Sequence, residues 1–265
     1  MLDQDMCEHP IYLLLFIPAS YVFPLKTGNK LSKDVEFEDD FLLAYLTFTK
    51  YDEKKAFARL RNYLNLRSNH SYFFRSVQFD LASHPSSRFA TFLPHRLPDG
   101  SIIVLLEPGN WNPDDLSLET MKKIFCMMFL QQLRNPVSQA SGFHLVHDFA
   151  NTGVRYLKFC TPYNMYLLNH VTFDVLPGYF FGIHVLNTNF LMKILLNLSK
   201  PFVPEYFRNN IYIHSSPEKL QDFFPCSLLP TKYGGTLSDY AMPDFLRNAN
   251  EQHDNFPVGG QKNLF

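Results

Sequence analysis

An α/β fold is predicted by three features of the chain: a helical pair comes first, a β-hairpin follows, and further strand-length apolar runs then alternate with amphipathic helical stretches. Over 39–67, Phe41, Leu42, Tyr45 and Leu46, then Ala56, Phe57, Leu60, Tyr63 and Leu64, recur at helical spacing with a break at 50–52, which predicts a helical hairpin. Runs 89–97 and 101–107 are apolar and β-branched. Pro98, Asp99 and Gly100 between them supply a tight turn, so the two read as paired strands.

Along 116–133, Met121, Ile124, Phe125, Met128, Phe129 and Leu133 predict a long helix with a broad apolar face, followed by a polar loop at 135–141. Strands are expected at 142–149 and 179–187, with an apolar helix at 162–174 between them; a helix in that position is the ordinary crossover between parallel strands. A helix at 190–199 meets Pro201 and Pro204, then comes a strand-like run at 211–214 and a short final helix at 217–224. The organisation expected is an irregular segment at 1–38, a helical module at 39–75, an α/β domain at 76–240, and a polar, loosely ordered tail at 241–265 containing Gly259 and Gly260.

Charge excludes some function classes. The 24 Lys and Arg balance 25 Asp and Glu, so no global field draws the chain to nucleic acid or an anionic membrane. Arg59, Arg61 and Arg67, with Lys54 and Lys55, read as the solvated face of a helix. Cys7, Cys126, Cys160 and Cys226 are scattered without metal-ligand spacing, which suggests free thiols in a reducing compartment and makes the sequons at Asn69 and Asn197 chance matches. The apolar stretch at 11–23 is interrupted by Pro18 and follows acidic residues, unlike a signal peptide; it is expected either to pack on the body as an irregular segment or to be an artefact of the gene model that replaces a missing helix.

No GxSxG elbow, P-loop or GxGxxG string occurs. His144 and His147 lie three apart on a strand and point to opposite faces, so they cannot share a metal ion. Neither an enzyme nor a metal site is expected, and no cofactor. An aromatic content of 16%, mostly Phe and Tyr, suits either a large core or an internal apolar surface.

The strings DDFLLAYLTFTKYDEKKAF, LLEPGNWNP, GFHLVHDFANT, FFGIHVLNTN, KPFVPEYFRNNIYIH and LLPTKYGG occur in this order over 39–237. Together they resemble the CRAL-TRIO lipid-transfer family, in particular its branch similar to the alpha-tocopherol transfer protein. What precedes Asp39 does not match the first helices usual there, so the helical module is expected to be incomplete. The resemblance implies a mixed β-sheet floor under a hydrophobic cavity, covering helices, and a gate helix that opens at a membrane.

The residues expected to line the lipid pocket are Phe125, Cys126, Phe129, Phe143, Leu145, His147, Leu168, Val171, Leu176, Ile183 and Val185. Alternation places Phe143, Leu145 and His147 on one strand face, and Phe181, Ile183 and Val185 on one face of another. On the gate, Met192, Leu195, Leu196, Ser199 and Val203 form an inward stripe, while Phe190, Leu191, Phe202, Tyr206 and Phe207 are expected to meet the membrane.

Basic positions by which the family holds phosphoinositide correspond here to Ala44, Thr47, Thr49, Tyr179, Phe181, Tyr206 and Asn210, leaving Lys50 and Arg208 as the candidate headgroup contacts. The resulting expectation is a non-enzymatic, monomeric, cytoplasmic carrier of a small hydrophobic lipid of tocopherol, retinoid or isoprenoid type, peripherally associated with membrane. Two alternatives remain open: a phosphatidylinositol bisphosphate-binding adaptor of the same fold, and a scaffold whose pocket Phe125 and Phe129 fill.

Overall fold

The structure, a computed structural model, describes residues 36–37, 39–238, 240–253 and 258–259. The apolar stretch at 11–23, Cys7 and Gly260 lie outside the described residues. After β1 (Glu36–Phe37), the hairpin consists of α1 (Asp39–Phe48) and α2 (Glu53–Asn69). Its turn places Lys50 and Tyr51 at φ 52° and 64°. Asp52 caps α2 by accepting the Lys55 amide at 3.1 Å. Phe41, Tyr45 and Tyr63 are buried between the two helices in ring contact.

The main sheet has the order β2-β3-β4-β5-β6. β2 (Ala90–Arg96) and β3 (Ile102–Leu106) are antiparallel, and β3, β4 (Phe143–Asp148), β5 (Phe180–Leu186) and β6 (Ile211–Ile213) run parallel, so the sheet is mixed as the resemblance implied. Pro94 lacks an amide hydrogen and falls on the edge strand β2, where the register shifts between Phe92 and Arg96. All of β3 is buried: Ile102, Val104 and Leu106 face one core cluster, Ile103 and Leu105 the other.

Between β3 and β4 lie α3 (Leu118–Gln132) and α4 (Pro136–Ser141). The second replaces the expected polar loop: Asn135 accepts the Val137 amide at 2.9 Å and Pro136 starts the helix, a cap and first-turn proline that mark a helix start. Gly142 follows at φ +65°, where a Cβ would stand 2.4 Å from the Tyr179 carbonyl oxygen. α5 (Pro162–His170) continues into a π-turn, Val171–Val175, and α6 (Phe190–Ser199) follows β5.

Two arginines expected in water are inside. Arg59 donates to the carbonyls of Phe173 and Leu176 at the end of the π-turn and lies 4.2 Å over the Phe48 ring. Arg67 is buried against Tyr63 Oη at 3.0 Å, whereas Arg61 is exposed. The Arg59 contacts fasten the hairpin to the π-turn, and the Tyr179 hydroxyl, donating to Phe48 O at 2.8 Å, fastens it beside the start of β5. Below the sheet, Asp148 accepts from Tyr233 Oη at 2.8 Å and from Asn187 Nδ2 at 2.7 Å. After Tyr233, Gly234 stands at φ +77° and a Cβ on Gly235 would meet Leu229 O at 1.9 Å, which accounts for the closing tyrosine with two glycines.

The expected loose tail is also corrected. Pro243–His253 forms α7, burying Leu246, Ala249 and His253, and Asn250 brackets Val77 by accepting its amide at 2.7 Å and donating to its carbonyl at 2.9 Å. Beyond it, β7 (Val258–Gly259) pairs antiparallel with β1. Leu246→Ala is expected to lower unfolding free energy by about 2–4 kcal/mol, the usual cost of truncating a buried leucine. Urea titration of the full chain checks this; an unchanged midpoint would mean the segment is not docked.

Candidate functional site

A cavity of about 300 Å³ lies over the β4–β5 pair. Its floor is Leu145, His147 and Ile183; α3 supplies Leu118, Met121, Lys122, Phe125 and Cys126, and α5 with its π-turn supplies Leu168, Val171 and Phe173. Trp111, Tyr156 and Phe159 close one corner in ring contact, and α6 forms the roof.

The wall is apolar because its polar side chains turn back to the backbone. Thr152 donates to Phe149 O at 2.6 Å, Asn169 to Met165 O at 2.7 Å, Thr172 to Leu168 O at 2.8 Å and Ser199 to Leu196 O at 2.8 Å. Tyr156 Oη donates to Trp111 O at 2.9 Å, and the Trp111 indole to Leu116 O at 2.6 Å. Hydroxyls satisfied in this way add little polarity to the space they border.

Of the residues expected in the pocket, Phe125, Cys126, Leu145, His147, Leu168, Val171 and Ile183 line it. Phe129, Phe143, Leu176 and Val185 do not: they are buried beside it, with Phe129 and Phe143 joined to Phe180 in a solid aromatic cluster. Phe129 thus leaves the cavity unfilled, and Phe125 forms part of its wall. The second strand face is also corrected. An extra residue in β5 pairs Phe143 with Phe180 and His144 with Gly182, so Phe180 joins the core side while Phe181 is exposed on the other, near His144.

All five gate residues, Met192, Leu195, Leu196, Ser199 and Val203, border the cavity. On the outer face Phe190 is 76% exposed and Leu198 57%, and Tyr206 beyond the helix is 73% exposed. Phe202 is half-buried, edge-on to Tyr166, and the side chain of Leu191 lies outside the described residues. Phe207 is buried against Phe173 with ring centroids 4.8 Å apart, because the tight turn Glu205–Asn210 points it inward and Tyr206 outward. Among the described residues no side chain of α6 hydrogen-bonds to another element; the nearest tether is its cap, Asn189, donating to Thr152 O at 3.3 Å.

Lys50 and Arg208 are exposed, and Arg208 Nε donates to Val203 O at 3.2 Å. Ala44 is buried and the Thr49 hydroxyl donates to Tyr45 O at 3.0 Å, so neither offers a headgroup contact.

The site holds no activated nucleophile. Burial pushes the Cys126 thiol up to about 12 and raises that of Cys160, keeping both protonated. His147 is held down to about 4 by burial, and its Nε2 is buried without a hydrogen-bond partner among the described residues. His144 lies on the opposite face, 6.2 Å from the His184 ring. Among the described residues no group of three potential metal ligands occurs, and no helix is long and apolar enough to cross a membrane.

Several lining residues escaped the sequence reading. Leu118, Met121 and Lys122 share the face of Phe125 at helical spacing and were legible; Trp111, Tyr156 and Phe159 sit on short turns without periodicity.

Residues 87–235 match the CRAL/TRIO domain. The chain is 26% identical over 238 residues to the Alpha-tocopherol transfer protein-like protein of Homo sapiens, covering 89% of this chain and 69% of that one. It is 26% identical over 214 residues to Clavesin-1 of Rattus norvegicus, covering 79% of this chain but only 60% of that relative's length. The crystal structure of Sfh5 shares the fold, with TM-score 0.53 and 12% identity over 81% of this chain and 80% of that one.

The depressed His147 sets a pH dependence. Between about 6.5, the ordinary histidine value, and about 4 the unfolded chain binds a proton that the folded chain refuses, so stability is full above this window and falls as pH drops through it. His184, held down to about 3 by burial and by His214, acts in the same direction. His147→Leu is expected to remove roughly 1–3 kcal/mol of the loss between pH 7 and pH 4.5, read by urea unfolding at the two values.

Proposed function

Because the chain belongs to the CRAL/TRIO domain family, a family of lipid-binding and lipid-transfer proteins, we propose that it is a non-enzymatic carrier enclosing one small hydrophobic lipid beneath α6. The observation that carries this reading is the roofed cavity of about 300 Å³ with backbone-satisfied walls. A water-insoluble molecule gains free energy wherever such apolar surface replaces water. That volume is near the lower end of the roughly 300–1,000 Å³ usual for ligand pockets, which favours a single chain or a fused-ring lipid of tocopherol, retinoid or isoprenoid type over a two-chain phospholipid.

α6 acts as the gate. Its inner stripe is stabilised by the ligand and its outer face by a bilayer, so membrane contact shifts the open population. The absence of side-chain hydrogen bonds from α6 to its surroundings, among the described residues, supports a roof held by apolar contact alone. The free thiols of Cys126, Cys160 and Cys226 are in keeping with a reducing, cytoplasmic setting, where the carrier acts as a monomer that meets membranes transiently. The phosphoinositide-binding adaptor has less support, since Ala44 is buried, the Thr49 hydroxyl is taken up by Tyr45 O, and the exposed Lys50 and Arg208 stand on different turns.

Binding of a fluorescent apolar ligand followed by transfer to acceptor vesicles tests the reading. Phe190→Asp with Leu198→Asp is expected to leave affinity in solution within about twofold and to slow transfer at least about tenfold, since burying each apolar side chain in lipid is worth about 1.5–3 kcal/mol. Equal transfer rates would remove α6 as the gate, and no binding by the parent protein would remove the carrier. Vesicle association is expected to change less than about threefold when phosphatidylinositol bisphosphate is added, measured by co-sedimentation. A strong dependence lost in Lys50→Ala with Arg208→Ala would favour the adaptor.

A further inference from the structure

One charged side chain borders the cavity: of its lining residues only Lys122 carries a formal charge. It stands on the cavity face of α3, one turn before Cys126 and Phe125, in a wall whose other polar groups are nearly all turned back to the backbone. Its ammonium is held in place. Nζ donates to Asn164 Oδ1 at 2.7 Å, and Asn164 Nδ2 donates in turn to Phe159 O at 2.7 Å, so both ends of the amide are engaged. Asn164 itself is fixed in the first turn of α5, where its backbone amide donates to the capping Thr161 hydroxyl at 3.2 Å.

An ammonium has three donors, and Asn164 uses one. Among the described residues no carboxylate forms an ion pair with Lys122. The acid that acts on it is Glu119, exposed and three residues earlier on the same helix. Burial lowers the Lys122 pKa against the opposing pull of Glu119, as expected for a cation partly withdrawn from water without a close counter-charge. A hydrocarbon alone would leave that ammonium covered with two donors unused and no counter-charge, which opposes binding.

We propose that the ligand carries a carboxylate at one end of a single apolar body, and that Lys122, oriented by Asn164, binds this carboxylate while the body lies along Leu145 and Ile183 toward α6. The assignment rests on the carrier reading above and supplies the chemical class of its cargo. One cation matches a monoanion; a phosphate monoester, carrying up to two charges, would call for further basic residues, and no other lining residue supplies them. His70 is held towards neutrality by burial and by Lys122, so it adds no second cation there. The chain of the acid, saturated or isoprenoid, is decided by the apolar floor.

Fluorescent cis-parinaric acid bound to the full chain at pH 7.5, displaced by palmitic acid, palmityl alcohol or methyl palmitate, tests the assignment. The acid is expected to bind at least about tenfold more tightly than the ester, consistent with the strength of hydrogen bonds to charged groups. Lys122→Gln is expected to lower acid affinity at least tenfold while leaving the ester within twofold, so the ester reports that the cavity remains folded. Lys122→Arg, which keeps the charge, is expected to retain part of the preference. Equal binding of acid and ester, or an equal loss of both in Lys122→Gln, overturns the carboxylate assignment alone. If no probe binds, the carrier reading falls with it.

Discussion

Keeping an apolar space open inside a protein forfeits the contacts that would otherwise cross it, so the walls must be held from outside. In this chain the burden falls on contacts behind the lining. Arg59 fastens the π-turn through the carbonyls of Phe173 and Leu176, and Asp148, with Tyr233 and Asn187, fixes the end of β4 from below. The Phe129, Phe143 and Phe180 cluster fills the space next to the cavity, so that the opening stays confined to one region of the sheet. Each phenylalanine of that cluster supports the pocket without lining it.

The roof is built on a different principle. α6 is capped by Asn189 and presents Met192, Leu195 and Leu196 inward with Phe190 and Leu198 outward, two apolar faces on one helix. Only Lys193 and Asn197, one turn apart and both exposed, interrupt the outer surface of the helix, so its attachment follows mainly the apolar surface available on either side. Floor and wall are tied down by hydrogen bonds, whereas the roof rests on hydrophobic contact. The division of labour suits a container that must open without unfolding. Lys122 and Asn164 belong to the fixed part, so a polar group held there would stay in register while the roof moves.

Much of this organisation was legible in the chain. The hairpin at 39–67, the strand pair around Gly100, the crossover between parallel strands and the inward stripe of α6 follow from apolar spacing and turn residues, and the ordered motifs identified the family. The signal fails where it is short or polar. The polar run at 135–141 looks like a loop although Asn135 and Pro136 mark a helix start, and the stretch that forms α7 looks loose because Leu246 and Ala249 stand among polar residues. Charge alone places Arg59 and Arg67 in water, yet Arg59 finds backbone carbonyls of the π-turn and Arg67 the Tyr63 hydroxyl one turn earlier on its own helix.

Most of the helices and strands, and the set of α6 residues that share a face, could be read from the chain alone, since both follow from backbone periods of 3.6 and 2 residues. Only the tertiary structure decided which apolar side chains border empty space and which pack solid. That outcome depends on the summed volumes of residues from β4, β5, α3 and α5, and on a one-residue bulge that puts Phe180 inside in place of Phe181. It also decided that Lys122 faces the cavity with an amide as its hydrogen-bond partner, because the distance between α3 and the first turn of α5 is set by packing and not by any spacing along the chain.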